Sequence, residues 1–229
     1  MKRFLAPVVA ACLALGGYVL WTSTQGMPQS TQAEQLLGAA NAQTTAEEID
    51  TSSIQEMQLG DADAPVTLIE YASYTCPHCA RFHEGPFKQL KTNYIDTGKI
   101  NFVYREVYFD RFGLWASAIA RCAGTPESFF GISDLVYETQ SEWTRAGGGD
   151  PAAIVEELRK IGRIAGLDNE ALESCLQDGD KLRTLVAWYQ QNAAADDVSS
   201  TPTLLINGVK HGNLGYSEIA RLIDEALGS

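Results

Sequence analysis

Positive charge is scarce in this chain: 17 Lys and Arg stand against 29 Asp and Glu, a formal net charge of -12 over 229 residues. Losing Lys2 and Arg3 with a leader would leave 15 basic residues against 29 acidic ones, or -14. A surface of that sign repels a phosphate backbone, which excludes nucleic acid as a natural partner. No Gly-Lys-Ser/Thr loop is present to cradle phosphates, and His83-Glu84 lacks the second histidine of a metalloprotease helix. Histidine is limited to His78, His83 and His211, which leaves few imidazole ligands for a metal. No internal repeat is visible, so a solenoid is excluded.

What is present suffices for a packed domain, with 45% hydrophobic residues, nine tyrosines and eight phenylalanines. Met1-Lys2-Arg3, an apolar run from Phe4 to Trp21 and then polar residues follow the order of a secretory signal. The run is also near the minimum length for a spanning helix, and no Ala-x-Ala site lies directly behind it, so an uncleaved anchor is the alternative. Val9-Ala10-Ala11-Cys12 resembles a lipoprotein cleavage box, but Cys12 reads better as an apolar residue of the leader. Setting Cys12 aside leaves four cysteines in a chain bound for an oxidising compartment. Three pairings are possible. Cys76 and Cys79 are near enough in sequence to form a redox pair, which leaves Cys122 with Cys175.

Residues 22 to 58 are polar and bury little, and the domain begins near Met57. Val66 to Tyr71 is a β-branched and aromatic run that predicts a buried strand, and residues from Cys76 to about Tyr94 predict a helix kinked at Pro86. Ile100 to Tyr108 predicts a second strand, completing a β-α-β unit. From Phe112 to Ala195 the pattern is helical: Ile154, Leu158, Ile161 and Ala165, then Leu182, Leu185, Val186 and Tyr189, recur at helical spacing. Asp150-Pro151 supplies an N-cap and a first helical position within that block. Thr203 to Ile206, Asn207-Gly208 and Val209 to His211 predict a hairpin on a type I′ turn, and a closing helix runs from about Ser217 to Leu227. The fold class is α/β, with a helical domain inserted between the β-α-β unit and a C-terminal hairpin-helix unit.

Cys76-Pro77-His78-Cys79 stands where a core strand hands over to a helix. The positive end of the helix dipole stabilises an anion there, and the thiolate is the reactive form of cysteine. Pro77 suits the first helical position. His78 adds a donor, and a positive charge when protonated, which favours the dithiol. Cys79 lies one turn in and should be the more buried, so Cys76 is the nucleophile. Half of a zinc site is the competing reading of Cys-x-x-Cys, but the other cysteines are separated from the motif by predicted helices. No metal and no cofactor are expected.

Glu70 to Cys79, followed far downstream by Thr201-Pro202-Thr203-Leu204-Leu205-Ile206-Asn207-Gly208, resembles the DsbA branch of the thioredoxin superfamily, in particular its alphaproteobacterial type. The resemblance spans about residues 57 to 228. It implies a thioredoxin-like fold, with 1–26 as a signal peptide or N-terminal membrane anchor, 27–56 as a flexible linker and 57–228 as the domain carrying the helical insertion at about 112–195. It implies that Pro202 is a cis-proline facing the active-site sulfurs and that the Thr201 backbone pairs with an extended substrate beside an apolar groove. Glu70 would be an acid beneath Cys79, relaying its proton; a strand-end carboxylate facing solvent is the alternative. His83 shares a helical face with Cys79 and reads as a surface or packing residue, and His211 as exposed. Similar relatives bridge a pair such as Cys122 and Cys175 structurally; two buried free thiols are the alternative.

The function so implied is periplasmic thiol-disulfide exchange that introduces disulfides into unfolded exported polypeptides with free cysteines. A DsbB-like, quinone-linked membrane oxidase would recharge the protein. Thr201, where many dedicated oxidases carry valine, keeps open an isomerase or reductase oligomerised through the N-terminal segment. A metal-handling module using Cys76 and Cys79 as ligands is the reading from another class.

Overall fold

The computed structural model describes residues 49–228. The leader or anchor expected at 1–26, the Cys12 box and the linker up to residue 48 lie outside the described residues. Among the described residues no helix is long and apolar enough to cross a membrane.

A five-stranded sheet in the order β1-β3-β2-β4-β5 forms the centre. β2 (Val66–Ala72) and β3 (Ile100–Glu106) run parallel, as the β-α-β expectation requires. β4 (Thr203–Ile206) pairs antiparallel with β2, and β5 (Val209–His211) with β4. Asn207 and Gly208 both have positive φ, 47° and 81°, which fits the type I′ turn read from Asn-Gly. β2 and β4 are central strands and bury side chains on both faces; Val66, Leu68, Tyr71, Ala72 and Leu204 are fully covered.

β1 (Met57–Gly60) has no counterpart in the sequence reading. It is short, and only Met57 is buried, so no alternation announces it. Gly60 ends it at φ +93°, where a Cβ would lie 2.5 Å from the Ile100 carbonyl oxygen; only glycine fits. β3 ends two residues earlier than expected. Val107 still donates to the Ala72 carbonyl at 2.7 Å, and the chain then turns toward the Asp110 cap.

The helix expected from Cys76 is continuous but not uniform. α1 (Pro77–Phe82) widens into a π-helical turn, His83–Phe87, continues as α2 (Lys88–Leu90) and widens again at Lys91–Ile95. Pro86 lies in the first wide turn and has no N–H to donate, which removes one α-helical bond there.

The insertion contains α3 (Arg111–Cys122), α4 (Pro126–Glu138), α5 (Gln140–Trp143), α6 (Pro151–Ile164), α7 (Asn169–Gln177) and α8 (Gly179–Ala195), and α9 (Tyr216–Leu227) closes the chain. Asp150 caps α6 by accepting from Ala153 N at 2.9 Å, with Pro151 at the first position. Ile154, Leu158 and Ile161 face the core, whereas Ala165 is exposed just past the helix end. On α8 the buried stripe centres on Leu185 and Trp188.

Arg121 on α3 reaches Glu106 on β3 through two bonds, 2.5 and 2.7 Å, and also donates to the Gln55 carbonyl at 2.8 Å. Glu56 accepts from Arg105 at 2.6 Å, and Thr51 donates to Gln191 at 2.7 Å. The last residues of the segment read as linker, 49–56, are therefore held against the domain. Their polar composition hid this, because side-chain hydrogen bonds rather than apolar burial secure them.

Cys122, the last residue of α3, is bridged to Cys175 in α7, with the Cα atoms 5.8 Å apart and a sequence separation of 53. A loop of that length makes the bridge worth about 4 kcal/mol in the chain-entropy model. Replacing both cysteines by serine should lower stability by about 2–5 kcal/mol, read from urea unfolding curves, and leave Cys76 reactivity unchanged.

Candidate active site

Cys76 is the N-cap of α1 and Pro77 its first residue. Tyr71 pairs with Thr203, so Pro202, one residue before β4, lies at the end of β2 from which the motif departs. The Thr201-Pro202 bond is cis, and the Thr201 carbonyl accepts from the Cys76 thiol at 3.5 Å. The sheet register thus brings together residues 125 apart in sequence. Cys76 is partly exposed, whereas Cys79 is fully buried; both are free thiols.

The two sulfurs are driven in opposite directions. A hydrogen bond from the Cys79 thiol is the main cause that lowers Cys76 to about 5. Partial burial opposes it, while the Thr201 side chain and the backbone N–H groups of Cys79 and His78 add to it. The Thr201 hydroxyl oxygen is buried and bonds no other protein group, which leaves it free to donate to the Cys76 thiolate. Burial pushes Cys79 far above the usual thiol range, and its bond to Cys76 and the charge of Glu70 push it further.

The His78 Nδ1 lies 2.8 Å from Arg81 Nη2, and a guanidinium only donates, so Nδ1 is the acceptor of that contact. The thiolate is held by the helix start, Cys79 and Thr201.

Glu70 is fully buried, which removes the solvent-facing alternative. Its Oε2 lies 2.9 Å from His83 Nε2. His83 is only 3% exposed, stacked on Tyr137 at 4.3 Å and flanked by Phe87 at 4.6 Å. Of the surface and packing roles expected for His83, the structure gives packing: the wide turn after Phe82 sets its ring among aromatics, over the acid on β2. His211 is half-buried rather than exposed.

Other residues that hold the site gave no signal of their own. Gln140 on α5 donates to the carbonyls of Tyr74 and Cys76, at 2.8 and 3.0 Å, and so fixes the turn before α1. Thr75 donates to Asp110 at 2.8 Å, and the same carboxylate caps α3 through Phe112 N and Gly113 N. Only Asp110 carried a local clue, as an N-cap residue ahead of a helix. The pocket flanking the motif is lined by Thr75, Pro77, Arg81, Phe112, Gln140 and Arg145 among others, a surface of mixed polarity. Among the described residues no group of three or more His, Cys, Asp or Glu converges as a metal site.

Because Cys76 ionises at about 5 when folded and at about 8.5 when unfolded, the folded dithiol binds fewer protons between those values. Its stability should rise with pH across that window and fall as pH drops toward 5. The Cys76-Cys79 disulfide form has no such dependence. Thermal unfolding of both forms from about pH 5 to 8 should show the gap shifting in favour of the dithiol, and Thr201→Val should raise the pH midpoint of Cys76 alkylation.

The family model for thioredoxin matches residues 52–225. A Rickettsia bellii protein named for protein-disulfide oxidoreduction is 36% identical over 172 residues, which cover 75% of this chain and 64% of that protein. The chain therefore matches less than two thirds of that relative's length. Disulfide bond formation protein D of Bacillus subtilis is 28% identical, with 74% of this chain and 76% of that one covered. Among solved structures, Wolbachia pipientis alpha-DsbA1 superposes with a TM-score of 0.70 at 28% identity, covering 76% of this chain and 92% of that one. With its β-α-β unit, helical insertion and hairpin-helix unit, and with a Cys-x-x-Cys helix start set against a cis-proline, the chain belongs to the thioredoxin family and is DsbA-like.

Proposed function

We propose that the protein is an exported thiol-disulfide oxidoreductase that introduces disulfides into newly exported polypeptides through Cys76 and Cys79. The asymmetry of the two sulfurs carries this reading: Cys76 is lowered to about 5 and Cys79 is raised by burial. A dithiol whose outer sulfur is stable as a thiolate is favoured over its disulfide, which makes the disulfide a donor.

A substrate thiolate attacks Cys76 Sγ, forming a mixed disulfide. The Cys76-Cys79 bond breaks, its electron pair passes to Cys79 Sγ, and Cys79 takes a proton. A second substrate thiolate then attacks the substrate sulfur of the mixed disulfide, and Cys76 departs as a thiolate. Its low pKa makes it the better leaving group, so the substrate keeps the new bond. The Thr201 backbone beside Cys76 offers an edge for an extended, unfolded segment, which makes recognition loose.

Export rests on the apolar run from Phe4 to Trp21, and the run also allows an anchored protein facing the periplasm. Each cycle leaves the protein as a dithiol, so an oxidant must recharge it, and a DsbB-like, quinone-linked membrane oxidase is the partner of matching chemistry.

Expressing Cys79→Ala in cells should accumulate mixed disulfides between Cys76 and exported proteins, visible as thiol-sensitive adducts; Cys76→Ala should give none. Absence of adducts while Cys76 remains open to alkylation would overturn the reading. A purified protein that reshuffles scrambled disulfides but fails to oxidise a reduced peptide would move it to the isomerase class.

A further inference from the structure

Exchange leaves one problem inside the protein. When the Cys76-Cys79 bond breaks, the electron pair lands on a sulfur with no solvent contact, in surroundings that strongly disfavour the anion. A proton has to reach it through the interior.

Glu70 and His83 form a two-residue chain with open ends. They meet through Oε2 and Nε2 at 2.9 Å, while Glu70 Oε1 and His83 Nδ1, both buried, bond no other protein group. Leaving two such atoms unpaired in a well-packed interior is costly, because each has given up its bonds to water. At one end the charge of Glu70 is felt by Cys79. At the other, His83 lines a pocket with Glu84, Lys88, Asp134, Tyr137 and Glu138. Asp134 is shifted upward by burial, an effect that the charge of His83 counteracts, which places that carboxyl within electrostatic reach of the imidazole.

The geometry points to His83 as the link that brings a proton from this pocket to Glu70 and so to Cys79 during exchange. The inference rests on the exchange reading above. Imidazole is suited to the task because it can take a proton at Nδ1 while releasing one from Nε2, with no movement of the ring. The step balances as follows. Solvent in the pocket gives a proton to Nδ1, Nε2 passes its proton to Glu70 Oε2, and the carboxyl proton goes to Cys79 Sγ, which has just received the electron pair of the broken S–S bond. Reoxidation runs the same path in reverse. His83 reaches Cys79 only through Glu70 and is a positioning residue, not a catalytic one.

The surroundings keep the path directed. The titratable groups around His83 are Glu70 from β2, Tyr104 from β3, Asp134, Tyr137 and Glu138 from α4, Glu84 from its own wide turn and Lys88 from α2. Burial raises Tyr104 and Tyr137 well above the usual phenol range, and their hydroxyls bond each other at 2.6 Å, so neither competes as an acid. Stacking on Tyr137 and contact with Phe87 fix the ring plane.

The test is single-turnover reduction of the disulfide-form protein by glutathione across pH, in H2O and D2O, with rates corrected for glutathione ionisation. The wild type should show a normal solvent isotope effect. His83→Phe, which keeps the aromatic packing, and His83→Gln, which keeps a donor to Glu70, should each slow reduction at least about tenfold and flatten the pH profile. Iodoacetamide alkylation of Cys76 in the dithiol form should keep its wild-type midpoint in both variants. Wild-type rates and profile in a folded variant would overturn the proposal, and so would a slowing matched by a shift of the Cys76 midpoint, since that marks a structural role. If neither variant folds, the wild-type isotope effect decides: its absence removes the relay. Failure of the wild type to react with glutathione at all would instead defeat the exchange reading.

Discussion

A thiolate at Cys76 is tolerated because separate parts of the chain deliver donors to one point. The helix start offers N–H groups, Cys79 offers its thiol from one turn inside, and Thr201 offers a hydroxyl from the loop before β4. Together they outweigh the partial burial of the sulfur, which opposes the anion. The sheet makes them coincide: β4 pairs with β2 in a register that sets Thr201-Pro202 against the point where α1 begins. Most other features of the site hold that coincidence in place.

The insertion contributes to this support although it supplies no sulfur to the exchange. Gln140 ties the carbonyls of Tyr74 and Cys76 to α5, and the Asp110 carboxylate joins Thr75 to the cap of α3. Tyr74 is bonded to Ser133 on α4 at 2.6 Å, and burial keeps its phenol neutral. The buried Arg121-Glu106 pair fixes α3 to β3, and each guanidinium nitrogen that bonds there finds an acceptor, which is the condition under which a buried ion pair is tolerable. The helices thus act as a frame around the active turn.

Local patterns made much of this legible. The apolar runs of β2 and β3, the Asn-Gly turn, the Asp150-Pro151 start and the Cys-x-x-Cys motif are each written within a few residues, and each corresponds to an element of the fold. What escaped was written across long separations or in too few residues. β1 has four residues and one buried side chain. Gln140 acts on carbonyls 64 and 66 residues away, and nothing beside it indicates this. Whether His83 was a surface or a packing residue stayed open because a helical face shared with Cys79 does not tell a solvent-facing residue from one turned inward by a π-helical widening.

The two cysteine pairs end on opposite poles of their helices. Cys76 precedes α1, where the dipole welcomes an anion, whereas Cys122 is the last residue of α3, where the same dipole opposes one. A sulfur in the second setting is a poor leaving group, so the bridge to Cys175 resists the exchange that the first pair is built to undergo. One molecule thereby carries a reactive cysteine pair and a bridge made for keeping, separated less by sulfur chemistry than by the end of the helix on which each pair begins.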